Sequence, residues 1–95
     1  GLEIIHVKAK AGETVWLDAS RSFDFENDGL YFRWWNLAEA GSCREKVEIR
    51  QPHSSKTSLV VPEKASKTTI HIVCEVSDNG TPALTAYRRV VIDVR

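Results

Sequence analysis

Two stretches of this 95-residue chain hold the residue types from which a site is built. Tyr31-Phe32-Arg33-Trp34-Trp35-Asn36 carries two of the three tryptophans. Asp24-Phe25-Glu26-Asn27-Asp28-Gly29 places side-chain oxygens at alternate positions ahead of a glycine, as at the start of a calcium loop. The twelfth position counted from Asp24 is Trp35 rather than Glu, so the run is not an EF-hand. Asp and Asn side chains commonly bond the amides of their own turn instead. The expected cofactor set is therefore none, with calcium on Asp24, Glu26 and Asp28 as the alternative.

Catalytic chemistry finds little to work with. His6, His53 and His71 are scattered, no Gly-x-Ser-x-Gly elbow exists, and the serines sit among turn residues. Paired carboxylates occur only in the acidic turn, which a small domain places at a solvated end rather than in a cleft. The chain by itself reads as a non-enzyme. Phosphate loops and nucleic-acid motifs are missing, and Arg88 and Arg89 point to opposite faces of a strand rather than forming a patch. Asn79-Gly80-Thr81 has the spacing of a glycosylation acceptor, but with Pro82 next the match reads as chance. Cys43 and Cys74 allow one disulfide without requiring it. Cys74 lies in an apolar alternation and reads as an inert buried thiol, and no Cys/His spacing suits zinc.

Bulk properties narrow the class further. The 42% apolar content implies one core and one domain spanning residues 1–95. With 13 basic and 13 acidic residues there is no net field to draw the chain to nucleic acid or to an anionic membrane. No apolar run approaches the roughly 20 residues of a membrane span. The opening Gly-Leu-Glu-Ile-Ile-His lacks the form of a signal peptide and leads almost directly into a strand-like segment, as expected of a piece of a longer protein.

The elements that must position these residues are strands. Val15, Leu17 and Ala19 alternate with Thr14, Trp16 and Asp18; Leu30, Phe32 and Trp34 with Tyr31, Arg33 and Trp35; Ile70, Ile72, Cys74 and Val76 with His71, Val73, Glu75 and Ser77. A last run sets Val90, Ile92 and Val94 against Arg89, Val91 and Asp93. Weaker strands are expected over 3–9, 46–50 and 57–61, the last stopped by Pro62. Turn residues separate the runs, and no segment keeps helical spacing for ten residues. Seven or eight short antiparallel strands, each with one apolar face, predict an all-β, immunoglobulin-like two-sheet sandwich. Opposite charges favour a terminal hairpin with Glu75 opposite Arg89, Val73 opposite Val91 and His71 opposite Asp93.

Alternation also divides the aromatic run. Trp34 shares a face with Leu30 and Phe32 and is the expected core anchor; Trp35 shares the opposite face with Tyr31 and Arg33. In the usual strand order that outer face also collects Val73, Arg89 and Val91. An indole, a phenol and guanidiniums on a flat sheet can stack on sugar rings or pack against another protein domain. The two outward valines favour a protein neighbour. Trp16, outward on a strand of the other sheet, is a second candidate for either role.

The run "GETVWLDASRSFDFENDGLYFRWW" resembles the first half of polycystic-kidney-disease-type (PKD) domains: Asp18-Ala19-Ser20, then the acidic turn to Gly29, then Phe32 and Trp34 at alternate positions. The PKD continuation Gly-Asp-Gly is replaced here by "RWWNLAEAG". That segment and "TIHIVCEVSDNGTPALTAYRRVVIDV" are similar to the C-terminal domain of secreted bacterial proteins with a nucleoside-hydrolase-like N-terminal part, a group that includes a cellulose-binding protein. The pieces that carry the likeness are Arg33-Trp34-Trp35, Glu39-Ala40-Gly41, Thr69-Ile70-His71, Asp78 to Pro82 and Tyr87 to Val90. The resemblance implies a PKD-like accessory module of a secreted or periplasmic bacterial protein. Its implied partners are the N-terminal nucleoside-hydrolase-like domain and a polysaccharide such as cellulose. Calcium-dependent adhesion is the alternative that the acidic turn and the cadherin-like Asp-x-Gly-x-Pro end support.

Overall fold

The structure is a computed structural model that describes residues 4–20, 29–80 and 83–95. Six strands are found among them: β1 (Ile4–Ala9), β2 (Thr14–Asp18), β3 (Tyr31–Asn36), β4 (Lys56–Val60), β5 (Thr69–Ser77) and β6 (Thr85–Val94). A single 3-10 turn, Ala38–Ala40, follows β3. One sheet has the order β1-β6-β5-β3, the other pairs β2 with β4. The chain is thus the expected all-β two-sheet sandwich. No helix among the described residues is long and apolar enough to cross a membrane.

Three expectations are corrected. The pairing is not antiparallel throughout, because β1 runs parallel to β6, with Ile4 beside Arg89 and Ala9 beside Val94. The strand expected over 46–50 forms only an isolated bridge from Ile49 to Leu59. The β5–β6 hairpin is shifted by two residues, setting Glu75 opposite Tyr87, Val73 opposite Arg89, His71 opposite Val91 and Thr69 opposite Asp93. The connecting loop accounts for that shift. Asp78 N–H donates to the Leu84 carbonyl at 3.0 Å. Its carboxylate accepts from the amides of Leu84 at 2.8 Å and Gly80 at 3.0 Å. This closes the ladder where the loop dictates, and cross-strand charge pairs worth under about 1 kcal/mol do not outweigh a fixed turn. A two-residue shift preserves the alternation, so every side chain keeps its expected face.

The core lies between the sheets. Leu59, Ile70, Ile72, Val76 and Ile92 are fully buried, and Val15 and Leu17 of β2 face them. Trp34 is buried with them, opposite Cys74 in the β3–β5 ladder. Its indole N–H, which would be costly to bury unpaired, donates to the Ser54 carbonyl at 2.7 Å. Trp34 N–H also donates to the Pro52 carbonyl at 2.8 Å. The segment 50–54 therefore ties β3 of one sheet to β4 of the other. Both cysteines are buried free thiols. Burial, and then the charge of Glu75, push the Cys74 thiol up to about 12, so it stays protonated.

Candidate functional site

Six of the seven residues expected to form a binding face share the outer surface of the four-stranded sheet. Across the β3–β5–β6 ladders, Arg33, Glu75 and Tyr87 form one row, and Trp35, Val73 and Arg89 the next. Tyr31 stands at the end of its strand and is 63% exposed. Val91 lies one row on, flanked by His71 and by His6 of β1. Tyr87, 43% exposed, belongs to this face and was not singled out from sequence, although its alternation with Arg89 and Val91 marked it.

Four residues of this face interact with one another, while the Nδ1 of His71 is buried without a hydrogen-bond partner among the described residues. The Arg33 guanidinium carbon sits 4.8 Å from the centroid of the Trp35 ring, a cation–π contact. The same guanidinium stands 4.0 Å from the Glu75 carboxylate. A hydrogen bond to Glu75, together with that carboxylate's charge, raises the pKa of the Tyr87 hydroxyl above its ordinary 10.0. Glu75 thus finds its cationic partner on β3 rather than on β6. Trp35 is only partly exposed with Arg33 over it, so a ligand ring would first have to displace the guanidinium. Val73 and Val91 are each only 7% exposed, although they lie outside the core cluster. Their register neighbours Trp35, Arg89, His71 and His6 flank them within this chain. They do not form the open apolar patch that favoured a protein neighbour.

Trp16 stands apart from those six, on the two-stranded sheet. Alternation buries Val15 and Leu17 and leaves Trp16 77% exposed, the highest exposure among the large apolar side chains described. Trp16 pairs with Ser58 across the β2–β4 ladder. On the far side of β4, Arg50 N–H donates to the Ser58 carbonyl at 3.0 Å, and Gln51 N–H donates to Thr57 Oγ1 at 2.9 Å. The outer surface therefore carries a row Trp16, Ser58, Arg50, in which a small residue lies between two large ones. Ser58 is only 4% exposed at its floor. Asp18 faces Lys56 in the adjoining row. Together these residues line an open groove of about 480 Å³. Sequence reasoning found Trp16 but not Arg50 or Ser58.

Asp24, Glu26 and Asp28, the alternative calcium ligands, lie outside the described residues. Among the described residues, no group of three or more His, Cys, Asp or Glu side chains is placed to hold a metal ion. Asp78 spends its carboxylate on the loop: the amides of Leu84 and then Gly80 hold it below the ordinary value of 3.8.

The described residues thus form a two-sheet sandwich with an exposed tryptophan beside an open groove, the form of a small β-sandwich module, and comparison with known proteins places the module in a family. Residues 14–94 match the family described as Cellulose-binding protein Sde0182, C-terminal domain, and the chain belongs to that family. Among solved structures it is similar to a nucleoside hydrolase-related protein from Saccharophagus degradans that is associated with carbohydrate metabolism. The TM-score is 0.91 and the identity 41%, over 97% of this chain and 22% of that one. It also shares its fold with part of a 2,6-sialyltransferase from Photobacterium sp. JT-ISH-224, at TM-score 0.70 and 15% identity, over 97% of this chain and 17% of that one. No curated protein matches the chain. The chain thus spans about a fifth of each of these two solved proteins.

Proposed function

We propose that this chain is a non-catalytic accessory module that binds polysaccharide through the Trp16 groove, within a secreted or periplasmic bacterial protein. The observation that carries the reading is the 77% exposure of Trp16 on β2, beside an open groove that Asp18, Arg50 and Lys56 also line. Exposing an indole to water forfeits roughly 1.5–3 kcal/mol of burial, a cost that a binding surface recovers when a ligand covers it. The apolar C–H face of a pyranose ring suits an indole, and Asp18, Lys56 and Arg50 supply acceptors and donors for ring hydroxyls. The family description names cellulose, which makes a β-linked glucan the first ligand to try. Retention of the 95-residue chain on several insoluble polysaccharides, with Trp16→Ala alongside, tests this reading. Retention that survives in the variant would remove the groove from consideration.

A second role is supported for the opposite face. The similar Saccharophagus protein is nucleoside hydrolase-related and carries this fold as 22% of its length, so the module has a larger body to pack against. Tyr31 and Tyr87, both exposed and adjacent to the Arg33–Trp35 pair, suit docking on an N-terminal nucleoside-hydrolase-like domain of the same protein. Hydrogen exchange on the full-length protein and on the isolated module would read this directly. Protection of 31–35 and 85–89 should increase in the full-length protein, and equal protection would count against docking there.

A further inference from the structure

We infer that the Trp16 groove takes a single glycan chain and not the flat face of a crystalline polysaccharide; the inference rests on the polysaccharide reading above. A crystalline face is planar and wide, and a protein binds it with several aromatic rings held in one plane. The exposed aromatics described here cannot be brought into one plane. Trp16 lies on the outer face of the β2–β4 sheet, and Tyr31 and Tyr87 lie on the outer face of the β3–β5–β6 sheet. The core is between the two sheets, so these surfaces look in opposite directions.

The surroundings of Trp16 lead to the same conclusion. Its outward neighbours along β2 are Thr14 and Asp18, and its neighbours across the sheet are Ser58 and then Arg50; none is aromatic. The low point of the surface is Ser58, while Lys56 and Val60 stand two residues away on either side of it along β4. Val60 is 41% exposed and Lys56 is exposed too, so the floor rises at both ends. A planar crystal face would rest on the tips of Trp16, Arg50 and Lys56 and never reach Ser58. A chain one ring wide can lie with one sugar face on the indole and its edge hydroxyls toward Arg50, Lys56 and Asp18. In a crystal those edges are occupied by neighbouring chains. The groove volume of about 480 Å³ is that of a site for a small ligand.

Calorimetry with cellohexaose, together with adsorption to amorphous and to microcrystalline cellulose, tests the inference on the 95-residue chain. The expected result is measurable binding of the soluble oligosaccharide and about tenfold more protein bound per gram on amorphous than on microcrystalline cellulose. Arg50→Ala should weaken oligosaccharide binding about tenfold, the loss expected for hydrogen bonds from a charged donor. Ser58→Tyr, which fills the slot, should abolish it, and Arg50→Ala provides the same readout if Ser58→Tyr does not fold. Adsorption to microcrystalline cellulose without oligosaccharide binding would overturn the single-chain inference and leave polysaccharide binding standing. Binding to neither the oligosaccharide nor any polysaccharide would overturn both.

Discussion

Trp34 and Trp35 are chemically identical neighbours with opposite roles, and strand alternation alone separates them. Trp34 fills the space between the sheets and spends its N–H on Ser54. Its truncation to Ala should cost roughly 3–5 kcal/mol through lost burial and the cavity left behind. A small domain has only about 5–15 kcal/mol in total, so the urea midpoint should fall steeply. Trp35→Ala should change the midpoint far less, losing a partly exposed contact with Arg33 worth about 0.5–1 kcal/mol. Equal losses in the two variants would contradict the assignment of faces. That assignment was legible in the order Leu30, Phe32, Trp34 against Tyr31, Arg33, Trp35. The covering of Trp35 by Arg33 was less so: two residues apart on one face are neighbours in any strand, but which rotamer brings the guanidinium over the ring is decided by Glu75 as well as by spacing.

At the scale of elements, the connections decide what the strands leave open. Asp78 holds the β5–β6 loop, and its folded pKa lies below the ordinary 3.8. Its carboxylate therefore contributes stability that is fully present above that value and is lost as pH falls through the lower folded value. Asp78→Asn keeps the side-chain shape but cannot ionise. It should lower Tm at neutral pH and flatten the acid limb of a curve of Tm against pH. An unchanged acid limb would assign that limb to other carboxylates. Gly41 makes a different demand, for space. A Cβ there would lie 2.5 Å from the Thr69 carbonyl oxygen, where the turn after β3 meets the start of β5. Gly41→Ala should cost about 1–3 kcal/mol, read by denaturant unfolding, and a neutral result would mean that the turn can move away. Strand positions and inward faces were readable because burial imposes a period of two. The hairpin register differs from the expected one by two residues because neither a loop centred on Gly80–Ala83 nor the charge pairs reveal the bonds from Asp78 to Leu84 that set it. Arg50 and Ser58 escaped notice for a related reason. The segment beside β4 pairs through a single bridge at Ile49, and a periodicity signal does not reveal an irregular neighbour.

For the whole molecule, the proposed function divides the labour between the two sheets. On that proposal the four-stranded sheet, whose outer surface carries the Arg33–Trp35–Glu75–Tyr87 cluster and the exposed Tyr31, lies against a neighbouring domain. The two-stranded sheet carries an open groove and a bare indole. The most direct test of the account compares adsorption isotherms on insoluble cellulose for the parent chain, Trp16→Ala and Trp35→Ala, with folding of each checked by circular dichroism. The account predicts that the parent and Trp35→Ala adsorb alike while Trp16→Ala, equally folded, does not adsorb. Loss of adsorption in Trp35→Ala with Trp16→Ala unaffected would place binding on the opposite sheet and contradict it.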